Sequence, residues 1–286
     1  MISNVFAPKF DSRTNKLIAL LLAIFTILVL LATAPQIGLT WDEPTYIVAA
    51  ETYPAWYAEL IAQPSYALST EEISRYWSTN HEHPPLSKVG SGFIWLGARH
   101  FLDDLTAHRL GNILIVSVLV MLLYLMVAQD YGSLAGLVAA FALLTMPRFF
   151  FHAHLAAIDV PVTAMIFAVI YTFWLGHSHP GLKWTLLLGF VWGLALATKI
   201  NALFIPPIVL SARALVFQRR RYLFIRLALM GLIGVGFFIL SWPWLYYDLW
   251  KHLTGYIEFM TTSRLPVEQY YFGQLYAPPP GIFLLS

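Results

Sequence analysis

The chain contains no cysteine, which excludes disulfide staples and thiolate metal centres. Charge is scarce as well. Only 11% of the residues are charged, against roughly 25% in a soluble globular protein. With 59% hydrophobic residues, that shortage excludes an ordinary water-soluble domain and requires a membrane protein. Neither sign of charge dominates. The formal net charge is +2, too small to support a nucleic-acid partner. Internal repeats and low-complexity linkers are also missing, and only Ala277-Pro278-Pro279-Pro280-Gly281 breaks the pattern.

Long apolar runs are what the chain has instead. A membrane helix needs about 20 mostly apolar residues. The runs 17–37, 107–128, 133–147, 160–176, 183–198, 201–217 and 222–242 predict an all-α, polytopic protein with about seven transmembrane helices. The first run, Leu17 to Leu39, exceeds a signal-peptide core of roughly 7–15 residues and reads as a retained anchor. Lys9, Arg13 and Lys16 precede it and place the N-terminus in the cytoplasm. Alternation then puts Asp42 outside, and Lys183 and Arg219 to Arg221 inside. The scheme requires that 86–102 does not cross, so this segment is expected to be a juxtamembrane or half-inserted helix. The first outer loop, about 38–105, carries interfacial aromatics such as Tyr46, Trp56 and Trp77, which suit helices lying in the headgroup plane. The second outer loop is 148–159, and 243–286 forms a further outer segment. The whole of 1–286 reads as one membrane-embedded module, stopping as if another helix were beginning at Ile282.

Polar residues gather where helices should meet water. Seven of the fifteen acidic residues lie between Asp42 and Glu82. A carboxylate at a bilayer boundary is costly unless it faces water, a partner or a substrate. In Thr40-Trp41-Asp42-Glu43-Pro44, Asp42 has two readings: a general base within reach of an acceptor, or an N-cap ahead of Pro44. In Asn80-His81-Glu82-His83-Pro84-Pro85-Leu86-Ser87-Lys88, the proline pair fixes Glu82 and His83 at a helix N-terminus, with Lys88 in the first turn. That run is an anion site or a plain loop–helix turn. His81 and His83 with His152 and His154 are candidate metal ligands, though without a clear spacing. Arg148, after Pro147, can grip phosphate bidentately. Asp159 is a cap or a further site residue, and Lys199 either snorkels or binds phosphate.

The Asp-Glu pair after the first membrane helix, followed by the Glu-His-Pro-Pro-Leu-x-Lys run, resembles the GT-C glycosyltransferases. The likeness is greatest to the protein O-mannosyltransferase and lipid A aminoarabinose transferase branch. The stretch Arg148–Asp159, the Thr198-Lys199 turn, Trp242-Pro243-Trp244 and Tyr270 to Tyr276 resemble further segments of that family, in the same order. The resemblance implies a polyprenyl-phosphate sugar as donor, membrane lipids as surroundings, and a protein, lipid or glycan as acceptor. It implies an active site on the extracytoplasmic face of the bacterial inner or plasma membrane. Carried over, Asp42 is the catalytic base with Glu43 beside it. His83, Lys88, Arg148 and Lys199 are candidates for the donor phosphate, with Glu82 and Asp159 as further site residues. Phosphate is its own good leaving group, so no cofactor is required, and a divalent metal stays open. Family members usually carry more helices and a C-terminal domain. The rival readings are a transporter or flippase of a lipid-linked or anionic substrate, and a non-catalytic fragment.

Overall fold

In a computed structural model of the chain, residues 11–178, 181–206, 220–262, 269–271 and 274–276 are described. The chain divides into two compact units, Met1–Trp244 and Leu245–Ser286. The first is helical: α1 Ser12–Thr33, α2 Glu43–Ala62, α3 Pro64–Ala67, α4 Thr70–Trp77, α5 Leu86–Ala98, α6 Asp104–Tyr131, α7 Ser133–Thr145, α8 Pro147–His154, α9 Asp159–Ser178, α10 Leu182–Thr198 and α11 Arg220–Leu240. The second holds α12, Leu249–Thr262, and a short antiparallel pairing of Gln269–Tyr271 with Gln274–Tyr276. That hairpin is a small exception to the expected all-α fold.

Among the described residues three helices are long and apolar enough to cross a membrane: Ser12–Gln36, Asp104–Tyr131 and Asp159–Gly176. The pair α7 and α8, bent by 71° at Met146, would make a fourth. The apolar helices Leu182–Thr198 and Phe224–Leu240 are shorter. At 1.5 Å per residue, the 17 residues of α10 reach about 26 Å, short of a hydrocarbon core of about 30 Å. The expected count of seven spans is therefore not reached among the described residues. The expected span 201–217 begins as a 3-10 turn, Ile200–Phe204, and its remainder from 207 lies outside the described residues. Helix α5 has 13 residues, about 20 Å, and is too short to cross. That agrees with a half-inserted or juxtamembrane element.

Helix α6 is the centre of the first unit. It packs against α1, α5, α7 and α9, while α10 packs against α9 and α11. Its apolar residues Ile113, Val116, Val120 and Tyr124 are buried with Leu22 and Leu30 of α1 and Ala140 of α7. At its far end Tyr124 and Ser133 both donate to Asn15 Oδ1, at 2.7 and 2.8 Å. Two glycines wedge α5 between α2 and α6. A Cβ at Gly92 would strike the Ala50 carbonyl oxygen, and one at Gly111 would come within 2.9 Å of Ser91 Cα. Only glycine permits these approaches, which let α5 lie close against α2 and α6.

Candidate active site

The two adjacent acids at the start of α2 have opposite environments. Glu43 is fully buried and Asp42 is exposed. Glu43 Oε1 accepts from Arg109 Nε and from the Ala156 N–H, both at 2.8 Å. Its Oε2 accepts from Arg109 Nη2 at 2.8 Å, from the Thr40 N–H at 2.9 Å and from the Thr40 hydroxyl at 3.1 Å. Burial alone would raise the Glu43 pKa. The bonds from Arg109, Ala156 and Thr40 outweigh it and hold the carboxyl below its ordinary value. Arg109, also fully buried, donates in addition to the carbonyls of Ala34, Ile37 and Gly38. One bidentate pair thus ties the exit of α1, the start of α2, the first turns of α6 and the segment after α8.

The sequence reading set Glu43 beside Asp42 in catalysis, and the structure gives the two acids different surroundings. Both oxygens of Glu43 are occupied and no solvent reaches it. Asp42 occupies the N-cap position of α2, but in helical backbone geometry (φ −85°, ψ −23°), and its side chain makes no capping hydrogen bond. Capping carboxylates usually sit in extended backbone and accept from an N–H two or three residues on. The capping role therefore does not explain Asp42, whose carboxylate is left facing outward on a clamped base.

The proline run behaves differently from the expectation for Lys88. Its ammonium is buried and donates to Asn80 O and Asn80 Oδ1 at 2.7 Å and to His83 O at 2.8 Å. Burial pushes its pKa down to about 7, against the opposing pull of Glu82. All three protons are used within the chain, and they fasten the turn 80–83. Asn80, at φ 51°, is held in the left-handed region by that contact. Glu82 accepts from Asn80 Nδ2 at 3.2 Å, and the His83 ring lies 6.0 Å from the ring of Tyr46.

Asp159 and Lys199 are brought together across 40 positions, with Nζ to Oδ1 at 2.7 Å. Both side chains keep contact with solvent, at 53% and 19% exposure. Arg148, at the start of α8, is exposed and has no hydrogen-bond or ion-pair partner among the described residues. The four histidines do not gather. The ring of His81 lies against Trp244, and both ring nitrogens of His154 are taken, by Phe150 O and by Thr33 Oγ1 at 2.7 Å each. Among the described residues the one group with metal-ligand spacing is Glu51, Asp104 and His108, which includes none of the four.

An apolar cavity of about 430 Å³ lies between α5, α6, α9 and α10. Leu114, Ile115, Val118 and Leu122 line its depth, and Ser87, Ser91 and Thr198 supply its few polar groups. Its size falls within the range of roughly 300–1,000 Å³ usual for small-molecule sites. Thr198 immediately precedes Lys199, so one polar edge of the cavity adjoins the Lys199–Asp159 pair.

Arg109 escaped sequence reasoning, as did Asn112, whose side-chain amide donates to the carbonyls of Leu155 and Ala157. The signal was present. A His-Arg pair five residues inside an apolar helix is expensive in a membrane and demands a partner.

An apolar helical frame, with ionisable groups clustered at one set of helix ends and an apolar cavity beside them, defines an integral membrane enzyme rather than a soluble one. The family model described as dolichyl-phosphate-mannose-protein mannosyltransferase matches residues 82–247, more than half of the chain, and the protein belongs to that family. It is accordingly a glycosyltransferase of the GT-C type. The match takes in the proline run, Arg109, Arg148–Asp159 and Lys199, and begins after Asp42. No curated protein and no solved structure matches the chain.

Proposed function

We propose that the protein transfers a sugar from a polyprenyl monophosphate carrier to an acceptor at the extracytoplasmic face of the membrane, with inversion at the anomeric carbon. The observation that carries this reading is the division of labour between the two acids. Glu43 and Arg109 form a rigid anchor, and Asp42, one residue away, is an exposed carboxylate with no capping duty. In the reaction, Asp42 takes the proton from the acceptor oxygen or nitrogen. That atom attacks the anomeric carbon from the face opposite the phosphate. The carbon–oxygen bond to the phosphate breaks, and its electron pair leaves with the phosphate. Lys199, within an exchangeable surface pair, and Arg148 are the cations available to the developing charge.

The apolar cavity provides a place for the carrier chain, with its polar edge beside Lys199. The family description points to a protein as acceptor, and the same chemistry serves a lipid or a glycan. The transport reading fits less well. It would place ionisable groups deep within the spans, whereas His108 and Arg109 lie in the first turns of α6. The test is binding and transfer in nanodiscs with a radiolabelled polyprenyl-phosphate sugar. Filling the cavity with Ala168→Trp is expected to weaken carrier binding at least tenfold. Unchanged binding would place the carrier elsewhere and remove the support that the cavity gives.

A further inference from the structure

A second, much smaller cavity lies between α2, α5, α6 and the segment 156–158. It offers about 10 Å³ to water-sized groups, which is room for a single one. Its polar lining comes from Tyr46, Ser87, Lys88, Ser91, His108 and Asn112. Lys88 is spent on Asn80 and His83, and Asn112 on Leu155 and Ala157. Two fully buried atoms of the lining are not spent. Ser87 Oγ and His108 Nδ1 are both buried, and neither has a hydrogen-bond partner among the described residues.

The state of His108 follows from its other nitrogen. The imidazole is 1% exposed and stacks on Trp95, with ring centroids 4.7 Å apart. Its Nε2 lies 3.2 Å from Glu51 Oε1 and 4.0 Å from Asp104 Oδ2. Trp95 Nε1–H holds the other Asp104 oxygen at 2.9 Å. Ionised carboxylates have no proton to give, so a neutral imidazole facing them carries its hydrogen on Nε2. Nδ1 is then a bare acceptor lone pair in a buried cavity. Burying an acceptor without a donor is costly, so the cavity calls for a donor of its own size.

We propose that this cavity is a subsite for one hydroxyl group, which donates to His108 Nδ1 and accepts from the Ser87 hydroxyl. The hydroxyl belongs either to an ordered water or to the sugar carried by the donor lipid. The second source rests on the function proposed above. Ser87 and Ser91 line this cavity and the apolar one alike, and Tyr46 stands one helical turn beyond Asp42 on α2. A sugar placed between carrier and base would meet the subsite with one of its hydroxyls.

The experiment is nitrogen NMR of the full chain in nanodiscs, with labelled histidine and with EDTA present. His108 is assigned by difference against His108→Gln. The expected spectrum shows a protonated Nε2 and an unprotonated Nδ1 shifted by an accepted hydrogen bond. Ser87→Ala is expected to move that Nδ1 signal toward its free value. A proton on Nδ1 would overturn the proposal, and it is what a metal held by Nε2, Glu51 and Asp104 would require. An unprotonated Nδ1 without an accepted bond in every state would overturn it too. Dolichyl phosphate and dolichyl phosphate mannose then separate the sources. An Nδ1 shift with the mannosyl lipid alone assigns the hydroxyl to the sugar, and a hydrogen-bonded Nδ1 that neither lipid moves assigns it to water. If neither lipid binds, the function reading fails, while the Nδ1 state still decides the subsite.

Discussion

Replacing Glu43 by Gln keeps the shape of the side chain and removes its charge. The amide has one oxygen to offer where the carboxylate offered two. If the oxygen takes the Oε2 position, the amide NH2 faces the N–H groups of Arg109 Nε and Ala156. If it takes the Oε1 position, the NH2 faces Arg109 Nη2 and both donors of Thr40. Either way at least two buried donors lose their acceptor, and the buried guanidinium loses its counter-charge. Breaking one side of a buried ion pair costs about 3–5 kcal/mol. At roughly 2–4 °C per kcal/mol for a chain of this size, the melting temperature should fall by roughly 6–20 °C. Arg109→Met should cost as much, because it also strips the carbonyls of Ala34, Ile37 and Gly38. The double variant Glu43→Leu with Arg109→Met should melt above either single variant, since no unpaired charge remains. The assay is thermal unfolding in nanodiscs alongside sugar transfer. A Glu43→Gln protein that melts like the native one but has lost transfer would refute the anchoring role and return Glu43 to the chemistry.

Further expectations follow from the same geometry. The lowered pKa of Glu43 stabilises the fold above the ordinary carboxylate range, and this contribution is lost as pH falls below about 4. Native protein should therefore lose stability more steeply on acidification than Glu43→Gln, and parallel curves would contradict the assignment. Lys199→Ala removes an exposed pair worth about 0–1 kcal/mol, so melting should hardly move while donor affinity drops. Unchanged affinity would exclude Lys199 from the phosphate site. Single cysteines at Ser65 and Lys183 should label from opposite sides of intact cells, against a chain with no native cysteine. Labelling of both by an impermeant reagent would overturn the orientation.

What the sequence made legible was the frame. The apolar runs 17–37, 107–128 and 160–176 announced the helices found over 12–33, 104–131 and 159–178, and the short, charge-flanked run after Pro85 announced an element that does not cross. The site was legible in its residues and less so in their roles. Adjacent acids look equivalent in a sequence, and only the path of the chain decides which turns inward. Glu43 turns inward because Arg109 waits 66 positions away. The partners of Lys88 could not be read in advance, because they include carbonyl oxygens of the turn 80–83, and backbone groups carry no signature in a sequence. Asp159 and Lys199 were both singled out, but their pairing across 40 positions depends on the packing of α9 against α10.

The central claim is that Asp42 is the base and that Glu43, one residue on, is its support. Asp42→Asn tests it directly. The structure gives Asp42 no capping hydrogen bond to lose, so this variant should melt like the native protein. Transfer from a labelled polyprenyl-phosphate sugar should fall about 10²–10⁴-fold, the usual cost of removing a general base. Carrier binding should stay the same, because the proposed phosphate contacts, Arg148 and Lys199, are other residues. Transfer near the native rate by a well-folded Asp42→Asn protein would contradict the account.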